Sequence, residues 1–111
     1  MSQREYKVVT ICGSMRYYNL MLEVAQDLTG QGYIVLMPFV KKGEGSTDII
    51  MLDDMHKRKI DMSSGIVVVG SHRGESTISE IEYAKQQKKD IILCLWNFTK
   101  RTIRAHRSRI G

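Results

Sequence analysis

The sequence predicts an α/β fold built on a doubly wound parallel sheet, and three observations predict it. Four short runs rich in Val and Ile, residues 6–12, 33–37, 65–70 and 90–95, recur along the 111-residue chain. The stretches between them are long enough for crossover helices, and some carry helical apolar spacing. The runs GIVVVG and DIILCL are apolar almost without interruption, as suits strands buried on both faces.

The first strand is YKVVTIC. Tyr18, Met21, Leu22, Ala25 and Leu28 then follow helical spacing, and Gly30 and Gly32 stop the helix before the second strand, YIVLM. After Pro38, FVKKGEGSTD mixes glycines and lysines without periodicity and reads as a loop, a candidate flap. A second helix is expected over 50–63, with Leu52, Met55 and Met62 inward and most of its charges outward. Strand GIVVVG follows, then a third helix over 77–88 that buries Ile78, Ile81 and Ala84, then strand DIILCL. This makes one domain over 1–98, with 99–111 left as a basic tail.

With 42% hydrophobic and 26% charged residues, the composition suits a single core in a cytoplasmic protein. No apolar run reaches the roughly 18 residues that cross a bilayer, and MSQREYKVV lacks a secretory pattern, so no membrane partner is expected. Cys12 and Cys94 lie in strand-like runs without metal-ligand or redox spacing and read as reduced core thiols. The net charge is +5. Lys100, Arg101, Arg104, Arg107 and Arg109 supply that excess, so the body of the chain is neutral. A nucleic-acid partner is therefore disfavoured, since binding would rest on the tail alone.

Doubly wound sheets hold ligands beyond the carboxyl ends of their strands, where crossovers diverge to opposite faces. In a flavodoxin-like order, 2-1-3-4, that crevice lies between strands one and three. The loops CGSMRYYN and GSHRGEST would meet there. Gly13 and Gly74 permit close backbone approach, Ser14, Ser76 and Thr77 offer hydroxyls, and Arg16 and Arg73 offer charge for an anion. Neither loop has the glycine spacing of a Walker or dinucleotide motif. His72 lies in the second loop; Tyr17 is placed to stack on a base, while Tyr18 belongs to the core stripe.

Glu80 has two readings. TISE, residues 77–80, is a capping box, in which Thr77 caps the helix and Glu80 reaches back to the cap's N–H. Alternatively, its carboxylate faces the crevice and acts on whatever the loops hold.

VTICGSMR, LDDMHKRKID and GESTISEIEYA together resemble the nucleoside 2-deoxyribosyltransferase-like superfamily, over residues 8–95. The resemblance is to its small bacterial members, and it extends to the 2′-deoxynucleoside 5′-phosphate N-hydrolases. It implies a flavodoxin-like or Rossmann-like fold, a homodimer or higher homo-oligomer, and cleavage or transfer of an N-glycosidic bond. It makes Glu80 the nucleophile and Ser14 and Arg16 the holders of a 5′-phosphate. Three positions depart from the pattern: Thr10 stands where a tyrosine orients the glutamate, Gly74 where an aspartate or serine occurs, and Lys57 at the second-helix carboxylate. Asp61, Asp54 and His56 are the candidates to protonate the leaving base. No metal and no organic cofactor are implied. The rival reading is a nucleotide-binding module without catalysis.

Overall fold

The structure is a computed structural model that describes residues 4–39, 49–97 and 102–108, with side chains from 95 onward outside that description. Among these residues, five strands and three α-helices follow in the order β1 (Val8–Cys12), a 3-10 turn (Met15–Tyr17), α1 (Tyr18–Gly30), β2 (Ile34–Leu36), α2 (Ile49–Asp61), β3 (Gly65–Val69), α3 (Glu75–Gln86), β4 (Asp90–Asn97) and β5 (Thr102–Ser108). The first four strands are parallel in the expected order, β2-β1-β3-β4. The proposed flap falls mostly on 40–48, outside the described residues. Among the described residues no helix is long and apolar enough to cross a membrane.

β1 alternates between the two faces of the sheet and thereby divides the core. Val9 and Ile11 pack with Val67, Val69 and Cys94 beneath Met21 and Val24 of α1. Cys12, Ile66, Val68 and Ile91 pack on the other face with Ile60 of α2 and Ile81 and Ala84 of α3. Each fully buried Ile or Val contributes roughly 1.5–3 kcal/mol through its removal from water. Crossovers on opposite faces place the crevice at the carboxyl ends of β1 and β3, as the strand order demands.

The residues read as a basic tail include a fifth strand, which pairs antiparallel with β4 from Ile91 opposite Ser108 to Asn97 opposite Thr102. In TIRAHRS, Ile103 and Ala105 alternate with Arg104 and His106. That period of two is a strand signal hidden among basic residues. Main-chain pairing does not depend on the charge run, and it closes the edge that β4 would otherwise expose.

Two helices are set differently from expectation. α2 buries His56 and Ile60; Met55 is 46% exposed, and Met62, just past the helix end, is 66% exposed. α3 begins two residues earlier than expected and buries Thr77, Glu80, Ile81 and Ala84, leaving Ile78 half exposed. On α1, Met21 and Val24 form the buried stripe and Leu22 faces outward.

Candidate active site

The start of α3 decides between the two readings of Glu80. Gly74 is the N-cap, in extended backbone at ψ 178, and Glu75 supplies the acid of the first turn. A glutamate is favoured there by the positive end of the helix dipole. Thr77 thus lies inside the first turn and is buried, and Glu80 lies a full turn beyond the place a capping box requires. The capping box is therefore not formed. Glu80 points inward, 9% exposed, against the end of β1 and the middle of α2.

Three side chains from three elements meet there. Cys12 closes β1, His56 lies midway along α2, and Glu80 occupies the second turn of α3. Cys12 Sγ is 3.5 Å from His56 Nε2, and His56 Nε2 is 3.6 Å from Glu80 Oε2. Among the described residues, His56 Nδ1 makes no hydrogen bond of good geometry, while the Ile11 backbone still favours the protonated ring. Burial dominates the charge state of all three. It pushes the Glu80 carboxyl up to about 7, against a hydrogen bond with Cys12 that acts the other way. It pushes His56 down to about 4, aided by the charge of Lys59, and it raises the Cys12 thiol well above its usual range, helped by Glu80. At neutral pH the imidazole is uncharged, the thiol keeps its proton, and Glu80 is poised between its two forms. The 3.6 Å contact is accordingly a contact between a neutral ring and a carboxyl group.

The second-helix carboxylate whose charge reaches both Glu80 and His56 is Asp53, which pairs with Lys57 at 3.2 Å. Asp54 is exposed and faces Arg58 at 3.7 Å. Asp61 lies at the other end of the sheet, where α2 leads into β3, paired with Arg58 at 2.7 Å and accepting a 2.6 Å hydrogen bond from the Tyr83 hydroxyl. Neither joins Glu80. The spacing Asp53, His56, Ile60 is one helical face, and it was the signal that could have marked Asp53 and His56 together.

The two loops do converge, through Tyr17. Its hydroxyl accepts from the His72 N–H at 3.0 Å, and hydrogen bonding with Ser71 lowers its pKa. Its ring lies where a side chain at Gly70 would project, 2.3 Å from a Cβ built there, and Gly70 has φ +87. Tyr17 is thus a staple between loops, not a free stacking surface. Gly13 is needed for a similar reason: a Cβ on it would sit 2.6 Å from the Val69 carbonyl oxygen. This brings the ends of β1 and β3 together.

Ser14 caps the 3-10 turn by accepting from the Arg16 N–H at 3.4 Å, and the Arg16 side chain is exposed. Ser76 is exposed on the first turn of α3. Space is open around Gly74, where an added Cβ meets nothing within 4 Å. The opening turns of the 3-10 segment and α3 therefore border the crevice from both loops, with N–H groups of the kind that bind anions.

Thr10, the position of the orienting tyrosine in the resemblance, is engaged elsewhere. Its hydroxyl lies 2.6 Å from Ser63 Oγ and donates to the Lys59 carbonyl at 3.0 Å.

No family model matches the chain, and no curated protein matches it in sequence. Among solved structures, a conserved protein from Enterococcus faecalis V583 is similar, with a TM-score of 0.64 at 14% identity over 88% of this chain and 68% of that one. At that identity the likeness shows the fold alone.

Proposed function

We propose that the protein binds a nucleoside or nucleoside 5′-monophosphate in the crevice at the ends of β1 and β3 and cleaves or transfers its N-glycosidic bond. The observation that carries this reading is the position of Glu80, buried against the carboxyl end of β1 beside the crevice and not used as a cap. One carboxylate oxygen attacks the anomeric carbon, forming a C–O bond as the C–N bond to the base breaks. Water or a second base then displaces the glutamate from the sugar. His56 stands beside the carboxyl group from α2, and Asp53, paired with Lys57, is the second-helix carboxylate whose charge reaches it. Ser14, Arg16 and the first turn of α3 around Gly74, Ser76 and Thr77 hold the 5′ end.

A homodimer or larger assembly belongs to the same proposal. Ile49, Ile50, Met51 and Met55 leave an apolar strip of α2 exposed, Ile49 and Ile50 at 75% and 83%. A strip of this kind is a candidate subunit contact. The cytoplasm is the expected location.

The second reading is a nucleotide-binding module without turnover. The diversion of the Thr10 hydroxyl to Ser63 and the partial protonation of Glu80 near neutral pH favour it. A proton NMR time course with ribo- and deoxyribonucleosides and their 5′-monophosphates separates the two. Release of free base that disappears in Glu80→Gln supports catalysis. Ligand shifts without base release in the wild-type protein reject it.

A further inference from the structure

We propose that Cys12, His56 and Glu80 form a binding site for a single thiophilic divalent cation, zinc being the fitting one. Zinc takes sulfur at about 2.3 Å and nitrogen or oxygen at about 2.0–2.2 Å, so tetrahedral ligand atoms stand roughly 3.3–3.7 Å apart. The Sγ–Nε2 and Nε2–Oε2 separations, 3.5 and 3.6 Å, already lie in that range, and all three donor atoms are within 4.8 Å of one another. An ion could bind with little movement of the three side chains. One soft, one borderline and one hard donor is a set that selects zinc over magnesium or calcium, which take oxygen ligands. Three protein ligands also leave a fourth position for water or a ligand.

Elsewhere in the same core, Thr10, Ser63 and the Lys59 carbonyl satisfy one another within 2.6–3.0 Å. The Cys12, His56 and Glu80 donor atoms instead converge on one point. Access lies on the Glu80 side, whose side chain keeps 11% of its exposure.

Metal binding stands on this geometry alone. One consequence rests on the proposed function: an ion coordinated by Glu80 occupies the lone pair that would attack the sugar, so zinc inhibits base release and a chelator restores it.

Titration of the metal-free, reduced protein with cobalt(II) tests the site. The expected result is one ion per chain with tetrahedral d–d bands and a thiolate-to-cobalt charge-transfer band. The band should be lost in Cys12→Ser and weakened at least tenfold in affinity in His56→Ala, while Cys94→Ser retains it. No charge-transfer band in the wild-type protein, or one that survives Cys12→Ser, overturns the site. X-ray absorption on the zinc-loaded wild-type protein needs no variant. One sulfur among nitrogen and oxygen neighbours supports the site, and a shell without sulfur overturns it. Cobalt binding, with no base release from any nucleoside by the metal-free protein, keeps the metal site and rejects the glycosidic reading. Base release with no cobalt binding does the reverse.

Discussion

The two ends of the α2–sheet interface solve the same problem in opposite ways. Both bury polar side chains from β1 and α2 in an apolar core. At the amino end, Thr10 and Ser63 share the Lys59 carbonyl, and Asp61 is held by Arg58 and Tyr83. These groups stabilise by satisfying each other. At the carboxyl end, Cys12, His56 and Glu80 crowd together with charge states displaced by burial. A protein sacrifices stability where its side chains must meet something other than one another. The proposed function places its chemistry at the second of these ends.

The largest effect expected from breaking the contrast is on turnover. Glu80→Gln keeps the shape of the side chain and removes the proposed nucleophile, so base release should fall at least about a thousandfold, the scale of losing a reacting group. Because only the carboxylate attacks, wild-type base release should rise with pH through about 7. Turnover that is unchanged in the variant, or flat across that range, removes Glu80 from the reaction.

The same substitution should move stability the other way, and only above mildly acidic pH. Folded Glu80 holds its proton to about 7, whereas the unfolded residue loses it near 4.5. Its contribution is thus intact below the unfolded value and is lost as pH rises through the folded one. His56 has the opposite sign, since its ring titrates near 4 when folded and near 6.5 when unfolded. Its contribution is present above the higher value and lost as pH falls through the lower. Across the shared window the two slopes oppose, and the wild-type profile is nearly flat. In Glu80→Gln only the histidine slope remains. Metal-free variant and wild type should therefore diverge with rising pH, the variant ending on the order of 3 kcal/mol more stable above neutrality. Urea melts across the range test this, and a gap that does not widen with pH contradicts it.

Gly13→Ala probes how tightly the carboxyl end is built. The new methyl group would meet the Val69 carbonyl at 2.6 Å and the Met21 terminus at 2.9 Å, on a residue with φ +155. Backbone cannot yield as a flexible side chain does, so a loss of about 3 kcal/mol is expected in the same melts. A near-neutral result would mean that the ends of β1 and β3 are not held in contact.

Much of this arrangement was legible in the sequence, for identifiable reasons. Val and Ile runs separated by crossover-length segments announce a parallel sheet, and the two loops rich in small polar residues mark its switch point. β5 was hidden because TIRAHRS carries its alternation under a basic charge run. The start of α3 was misplaced because TISE has the letters of a capping box, while the actual cap, Gly74, offers no side chain to recognise. Cys12 was read as an inert core thiol because its partners lie 44 and 68 positions away. Only the strand order and the shared face of α2 and α3 bring the three together. The second-helix carboxylates were misassigned for a related reason. Asp53, Asp54 and Asp61 are chemically equivalent, and the register of α2 against the sheet is set by Ile60 and His56, not by the methionines.

The smallest effect sharpens the comparison from its other side. Thr10→Val removes one hydroxyl from the amino-end cluster and preserves its shape. Ser63 still donates to the Lys59 carbonyl at 2.9 Å, so no acceptor is stranded, and the loss should be about 1 kcal/mol. It should be independent of pH across the window in which Glu80 and His56 titrate, because no ionisable group is touched. Base release per folded molecule should not change. If it falls tenfold or more while the fold is retained, Thr10 takes part in orienting Glu80 after all, and the division between a structural end and a chemical end of this interface fails at the residue where the two meet on β1.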